Sequence, residues 1–302
     1  MPLITYVPKT FRPDTMKIIH KANEIISIYV AQGYKLTLRQ LYYQFVSRDL
    51  LPNTVRSYGK LGLIVNHARL AGLIDWEAIE DRTRNLKSLA HFQDPPDIIK
   101  AAAQQHRLDK WSNQPYRVEI WIEKEALAGV FERVCQELDV PFFCCRGYTS
   151  QSEMWVAAQR LRGYRSQKVI ILHFGDHDPS GIDMTRDIQD RLNLFGLRFD
   201  MRRLALNMDQ IEEYDPPPNP AKDTDTRFKG YILKYSHSSW ELDALEPQIL
   251  ADLVRTEIQN KILDKKKWKK IVEEETEHQK FLTLAADNWE DVSSYIENNF
   301  KK

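Results

Sequence analysis

The stretch KVIILHFGDHDPSG, residues 168–181, decides the fold, because a nearly continuous apolar run is followed by an acidic turn between two glycines. Such a run is typical of a strand that is buried on both faces of a parallel sheet. Asp176 and Asp178 lie two residues apart, so in extended chain their side chains point to the same side. The stretch therefore predicts a buried strand with two carboxylates at its carboxyl end.

Strands and helices alternate on both sides of this stretch. Further strands are predicted at 117–122, 140–145 and 198–205, and helices at 125–138, 151–163 and 180–195. This alternation predicts right-handed βαβ units and a parallel sheet flanked by helices. We expect an α/β domain over residues 116–255 and a charged helical tail over residues 256–302.

The amino-terminal part, residues 1–110, has the pattern of a separate α-rich domain. Helices are predicted at 13–32, 38–50 and 54–72, and the short apolar stretch 73–79 is a possible β-wing. Three helices followed by a wing form the winged-helix plan, in which the third helix enters the major groove of DNA. That helix would present four candidate DNA-binding residues, Arg56, Tyr58, Lys60 and Arg69.

Composition excludes several classes of protein. With 42% hydrophobic and 28% charged residues, the chain has the composition of a globular protein, and no window approaches the roughly 18 apolar residues of a membrane helix. The first residues lack the apolar core of a secretory signal, so we expect a cytoplasmic protein without membrane association. Cys135, Cys144 and Cys145 are odd in number and two are adjacent, which favours reduced thiols over disulfides or a zinc site.

A third carboxylate follows an earlier strand. Residues 119–122, EIWI, run directly into Glu123, and ligands of open parallel sheets gather at the carboxyl ends of the strands. Three hard carboxylate oxygens suit Mg²⁺ (or Mn²⁺), so Glu123, Asp176 and Asp178 are predicted as metal ligands. The simpler interpretation of Asp-x-Asp-x-x-Gly alone is a surface turn that caps a helix.

Three short motifs carry a resemblance to a known family. IEKEA at 122–126, RGYTS at 146–150 and GDHDPSG at 175–181 resemble the Toprim domain, above all that of the A subunit of type IIB topoisomerases and of the related meiotic break-forming protein. WELDAL at 240–245 resembles a stretch that follows Toprim in such proteins. The resemblance implies that the three carboxylates hold Mg²⁺ near a scissile phosphate. Ser180 and His177 depart from the family pattern, which more often has an aromatic and a smaller residue there.

The resemblance extends to RQLYY at 39–43, where the family carries its nucleophilic tyrosine on a winged helix. It implies that Tyr43 is the nucleophile. A tyrosine hydroxyl is a poor nucleophile when neutral, so a cation must favour the phenolate. Arg39 lies one helical turn before Tyr43, where it can hold a phosphate. We expect an accessible Tyr43 hydroxyl, whereas the simpler interpretation places the aromatic side chains of this helix in the core.

These observations predict a DNA-cleaving enzyme that acts by tyrosyl transesterification. One alternative is a Toprim nuclease of the phage- or plasmid-defence kind that uses metal-activated water, and another is a DNA-binding scaffold with an inactive site. The predicted partners are double-stranded DNA and a second copy of the chain, which would place Tyr43 near the acids of the other chain. No phosphate-binding glycine loop occurs, so an ATPase or activating subunit would be separate. Lys124 is either a phosphate contact or a solvated charge.

Overall fold

The computed structural model describes residues 3–79, 89–164 and 166–300. The helices are α1 (Pro13–Ala31), α2 (Leu38–Val46), α3 (Val55–Leu70), α4 (Pro95–Gln105), α5 (Ala128–Leu138), α6 (Gln151–Arg162), α7 (Pro179–Leu194), α8 (Met208–Tyr214), α9 (Phe228–Lys234), α10 (Pro247–Glu257), α11 (Lys265–Asp287) and α12 (Trp289–Phe300). The strands are β1 (Tyr116–Ile122), β2 (Phe142–Cys144), β3 (Lys168–Phe174), β4 (Phe199–Ala205), β5 (Asn219–Pro220) and β6 (Ser238–Ser239).

The main sheet has the strand order β2-β1-β3-β4, and all of its pairs are parallel. The α/β class with a parallel sheet flanked by helices is therefore confirmed. Strands β1 and β3 pair over their full length, from Tyr116 opposite Lys168 to Ile122 opposite Phe174. Because the last residues of the two strands, Ile122 and Phe174, are paired, the residues that follow them, Glu123 and Gly175, lie side by side.

Helices cover both faces of the sheet, as the apolar strands require. Alternate residues of β1 and β3, such as Ile120 and Leu172, join a core with α5 and α10. The residues between them, such as Trp121 and Ile171, join a second core with α6 and α7. This two-sided burial makes the sheet a rigid platform for the residues at its carboxyl edge.

The amino-terminal helices α1 to α3 form a helical unit with a core of its own, built around Leu41, Phe45 and Leu61. The predicted wing is not found in residues 73–79, which form a short 3₁₀ helix at Trp76–Ala78 and a single bridge between Leu36 and Ile79. Residues 80–88 lie outside the described part. The three helices are thus present, but the winged-helix plan stays a prediction.

The carboxyl-terminal tail folds back onto the chain. Helix α11 packs along α4, and the Glu275 carboxylate accepts hydrogen bonds from the Leu108 amide at 2.8 Å and the Lys110 ammonium at 3.1 Å. Trp268 meets Trp111 edge to face, with 6.0 Å between ring centroids. The segment between the two predicted domains is therefore anchored by the tail. Among the described residues, no helix is long and apolar enough to cross a membrane.

Candidate functional site

Two of the predicted acids meet at the carboxyl edge of the sheet. Glu123 follows β1, and its Oε2 accepts the backbone N–H of Asp176 at 2.8 Å. Gly175 makes this approach possible, since a Cβ at that position would lie 2.9 Å from the same carboxylate oxygen. Only a residue without a side chain lets the turn after β3 lie this close to Glu123.

Asp178 begins helix α7. Its Oδ1 accepts the backbone N–H of Gly181 at 2.6 Å and the hydroxyl of Ser180 at 3.0 Å. The simpler interpretation of the motif, a turn that caps a helix, therefore holds for one oxygen of Asp178. The same residue lines the cavity described below, so capping does not exclude a second role.

A lysine lies among the acids. The Lys124 ammonium forms ion pairs with Asp176 at 2.9 Å, Glu241 at 2.6 Å and Asp243 at 3.0 Å, and its side chain is only 17% exposed. Glu241 and Asp243 come from the segment that leads into α10. Because three carboxylates hold this ammonium, the structure does not place Lys124 as a free phosphate contact.

Arg39 connects the helical unit to this acid cluster, by which we mean Glu123, Asp176, Asp178, Glu241 and Asp243. Its guanidinium lies 2.6 Å from Glu241 and 3.2 Å from Asp243. The same group lies 3.5 Å from the Tyr43 hydroxyl and 5.7 Å from the centre of its ring. Arg39 and Tyr43 therefore share a helix face, as the sequence predicts.

Contrary to the sequence prediction, the Tyr43 side chain is not accessible to solvent. The residue, on α2 of the helical unit, is only 5% exposed, and Asp243 and Glu241 of the acid cluster act on it from the α/β domain. Burial, and then the charges of Asp243 and Glu241, raise the pKa of its phenol well above the usual value. In this arrangement Tyr43 is held neutral.

The two units line an open cavity of about 500 Å³. The helical unit contributes two tyrosines of α2, Tyr42 and Tyr43, together with Tyr58 of α3. The α/β domain contributes Asp176 and Asp178. Most of the further lining residues are polar or charged, and three are apolar: Arg39, Asn53, Thr54, Lys124, Asn219, Lys222, Ser239 and Glu241, with Val55, Pro220 and Trp240. Tyrosines and carboxylates of a single chain thus face one space.

Burial and crowding shift the titration of the acids. Burial, and next the charge of Asp176, raise the pKa of Glu123 to about 7. Burial also raises the pKa of Asp176 to about 6, against the opposing effect of Lys124. Burial is the larger cause in both residues, and neighbouring carboxylates, Asp176 for Glu123 and Asp243 for Asp176, add to it. Burial alone would raise the pKa of Glu241 too, but Lys124 and Arg39 lower it to about 2.

The raised pKa of Glu123 predicts a pH-dependent stability. A carboxyl whose pKa is higher in the folded state binds its proton more tightly there than in the unfolded state. The protonated Glu123 therefore contributes fully to the free energy of unfolding below about pH 4.5, and this contribution is lost as the pH rises through 7. In metal-free buffer, Glu123→Gln should remove this loss and raise the free energy of unfolding at pH 8 by roughly 2–3 kcal/mol. Urea unfolding of wild type and Glu123→Gln at pH 5 and pH 8 measures this difference in the free energy of unfolding. An equal difference at both pH values would contradict a raised pKa for Glu123.

The two histidines near the acids have structural partners. His177 bonds through Nδ1 to the Tyr231 hydroxyl at 2.8 Å, and its backbone pairs with that of Trp240. His173 bonds through Nδ1 to the Thr185 hydroxyl at 2.9 Å. Burial, and then the charge of Arg203, lower the pKa of His173 to about 3 and that of His177 to about 4. Both are neutral at pH 7, and His177 helps to hold the acidic turn against the segment before α10.

The candidate DNA-binding residues separate into two groups. Arg56, Tyr58 and Lys60 are exposed on α3, and Tyr58 also lines the cavity. Arg69 instead donates to the carbonyls of Trp76 and Ile79 and lies 5.2 Å from the Trp76 ring centre. The sequence prediction for Arg69 is therefore not supported, because its guanidinium is used to hold the segment after α3.

The carboxylate oxygens at this edge of the sheet are of the type that binds a divalent cation, but the Lys124 ammonium already forms an ion pair with Asp176. Within residues 3–79, 89–164 and 166–300, no group of three or more His, Cys, Asp or Glu side chains is arranged closely enough to hold a metal ion. Lys124 engages Asp176, an amide engages one oxygen of Glu123, and the first turn of α7 engages one oxygen of Asp178. Convergence of the three carboxylates on one ion stays a prediction.

The charges nevertheless fit a cation. Five carboxylates form the acid cluster, and among the described residues only Arg39 and Lys124 form ion pairs with them. Carboxylate oxygens are the kind of donor that Mg²⁺ and Mn²⁺ take in proteins.

Glu241, Asp243 and Arg203 are site residues that the sequence did not single out. The signal for the first two was the resemblance carried by WELDAL, which does not say that these acids would meet Lys124. No protein-family model and no curated protein matches the chain, so the resemblance to Toprim proteins rests on the short motifs alone.

Proposed function

We propose that this protein cleaves DNA in a reaction that depends on Mg²⁺ or Mn²⁺. The observation that carries the proposal is the shared cavity: Asp176 and Asp178 at the carboxyl edge of a parallel sheet face Tyr43 and Arg39 of a helical unit across about 500 Å³. Glu123 lies directly behind the acidic turn. This composition, together with the motif resemblance, favours phosphoryl chemistry over a purely structural role.

Each side chain then has a defined part. Glu123, Asp176 and Asp178 would hold the divalent cation, which when bound would neutralise charge on the scissile phosphate and favour an ionised nucleophile. Arg39 would bind a phosphate oxygen beside Tyr43 once its ion pairs with Glu241 and Asp243 are broken. Until a cation and a phosphate bind, the Lys124 ammonium balances part of the negative charge of the acid cluster.

The nucleophile is either Tyr43 or a water molecule. Transesterification by Tyr43 is favoured by its position beside Arg39 on the wall of the acid-lined cavity. Hydrolysis by activated water is the second candidate, because the buried phenol has a raised pKa and is held neutral. A homodimer and a separate ATPase or activating subunit belong to the proposal as implications of the resemblance.

Supercoiled plasmid tests the proposed activity. Incubation with Mg²⁺ or Mn²⁺, followed by a detergent quench, should convert it to nicked or linear DNA. Glu123→Gln, which keeps the shape of the side chain but removes its charge, should abolish that conversion. DNA that leaves the gel well only after protease treatment indicates a covalent tyrosyl adduct, whereas protease-independent products indicate hydrolysis. An unchanged plasmid under all conditions would contradict cleavage by the isolated protein.

Helix α3 is the proposed DNA-binding element, because Arg56 and Lys60 are exposed on it and its residues Val55 and Tyr58 line the cavity. The double change Arg56→Glu/Lys60→Glu should weaken duplex binding by about tenfold or more and reduce the slope of log K against log salt by roughly 2. Fluorescence anisotropy with a labelled duplex in a salt series measures both quantities.

A matched control for that experiment is available on α11. Lys266 and Lys280 are exposed there, and Lys266→Glu/Lys280→Glu makes the same change in net charge. If both double variants lose affinity equally, the effect is one of total charge and α3 is not the DNA-binding element.

A further inference from the structure

Arg203, near the end of β4, binds the acidic turn from behind. Its Nη2 donates to the carbonyl oxygens of Gly175 at 2.9 Å and Asp176 at 2.6 Å. Its Nη1 donates to the carbonyl oxygen of Gly181 at 3.0 Å and to the Thr185 hydroxyl at 2.8 Å. One guanidinium thus holds the backbone on both sides of Asp176 and Asp178.

This guanidinium forms no direct ion pair with a carboxylate in the described part of the chain. Burial lowers its pKa, so its position has an electrostatic cost that an ion pair usually offsets. Here the charges of Glu123 and Asp176 act on it without direct pairing, and backbone carbonyls accept its hydrogen bonds. A planar group with several donors is suited to bind carbonyls that point in different directions. The neighbouring Arg202 shows the contrast, since it pairs with Asp200 and Glu257 at 2.7 Å each.

The turn that Arg203 holds is tightly packed. A side chain at Gly181 would collide with the carbonyl of Asp176, and one at Gly175 would lie 3.2 Å from Nη1 of Arg203. Residues 175–181 therefore fold back so that their carbonyls converge on Arg203 while Asp176 and Asp178 face the cavity. The side-chain directions of the two acids depend on this backbone arrangement.

We propose that Arg203 is a positioning residue for divalent-cation binding: it fixes the backbone of the acidic turn so that Asp176 and Asp178 are presented together. The inference rests on the proposed metal site but concerns ion binding and not DNA cleavage. A purely electrostatic role makes the opposite prediction. Loss of one positive charge next to the acids should tighten cation binding, whereas loss of the backbone clamp should weaken it.

Two variants and a control separate the positioning role from the electrostatic role. Calorimetry measures the binding of Mn²⁺ as it is titrated into each 302-residue protein. Arg203→Met removes charge and clamp, and Arg203→Lys keeps the charge but cannot hold carbonyls on both sides of the turn. Arg202→Met removes a charge from the adjacent residue on the same strand. We expect both Arg203 variants to bind Mn²⁺ at least about tenfold more weakly than wild type, and Arg202→Met to bind within about twofold.

Hydrogen exchange of the metal-free proteins supplies a second readout. Peptides covering 174–182 should exchange faster in Arg203→Lys than in wild type, while peptides covering β1 should not change. Tighter or unchanged Mn²⁺ binding in Arg203→Lys would overturn the proposal, as would absence of Mn²⁺ binding by wild type. If Arg203→Met fails to fold, Arg203→Lys still decides. Wild type that binds Mn²⁺ without cutting DNA would contradict the proposed function and leave this inference standing.

Discussion

Tyr43→Phe is expected to abolish any covalent protein–DNA adduct and to reduce strand cleavage by more than about 10³-fold, if the phenol is the nucleophile. The substitution keeps the buried ring, which contacts the ring of Tyr42 on the same helix. It removes one long hydrogen bond from Arg39, 3.5 Å between heavy atoms, so stability should change by less than about 1 kcal/mol. DNA binding should persist.

Tyr29→Phe is the matched control, because Tyr29 is another buried tyrosine of the helical unit, at 2% exposure, but does not line the cavity. Its cleavage should equal that of wild type. If Tyr43→Phe also cleaves at the wild-type rate without an adduct, catalysis is hydrolytic and water is the nucleophile. Activity that Tyr43→Phe and Tyr29→Phe lose to the same extent would indicate a packing effect.

Attack by Tyr43 requires a change in the arrangement of the two units. The hydroxyl lies in a residue that is 5% exposed, and the ion pairs of Arg39 with Glu241 and Asp243 hold α2 against the α/β domain. A phosphate that binds Arg39, together with a cation that binds the acids, would replace these pairs with equivalent ones. The closed arrangement is therefore compatible with a resting state of the proposed enzyme.

The sheet was predictable because its signals are local. The apolar run of β3 and the alternation of strands and helices gave β3 at its observed bounds and β1 to within one residue. Strand β2 is shorter than predicted because residues 140 and 141 precede the ladder and Cys145 follows it. The register of β1 with β3, which joins Glu123 to the acidic turn, follows from two strands of equal length that end together.

Long-range pairing explains what the sequence did not reveal. Lys124 meets Glu241 and Asp243 across 117 and 119 residues, and no local pattern marks that meeting. The burial of Tyr43 likewise depends on how one unit lies over the other. Residues 73–79 contain a 3₁₀ helix at Trp76–Ala78 where the sequence suggested a possible wing, because a short apolar run is compatible with either a strand or a helical turn.

Lys124→Met should have the largest effect on stability, a loss of about 3–5 kcal/mol in the free energy of unfolding at pH 8. Methionine keeps much of the length of the side chain but leaves Asp176, Glu241 and Asp243 without their shared ammonium. The Asp243 side chain is fully buried and that of Asp176 is 10% exposed, so water cannot replace the lost partner well. Urea unfolding measures the loss, and Lys266→Met on the exposed face of α11 should change stability by less than about 0.5 kcal/mol.

Two conditions should reduce that loss. At pH 5 the acids that have lost their counter-charge can take up protons, so the difference between Lys124→Met and wild type should narrow. Added Mn²⁺ should raise the melting temperature of Lys124→Met more than that of wild type, because the cation then need not displace an ammonium from Asp176. A variant as stable as the Lys266→Met control at pH 8 would show that Lys124 does not balance the acid cluster. A variant that Mn²⁺ stabilises no more than wild type would show that the vacated position does not bind a cation. Since Lys124 and a metal ion would compete for the same carboxylate of Asp176, the size of the Mn²⁺ effect measures how strongly the lysine restrains metal binding in the wild-type protein.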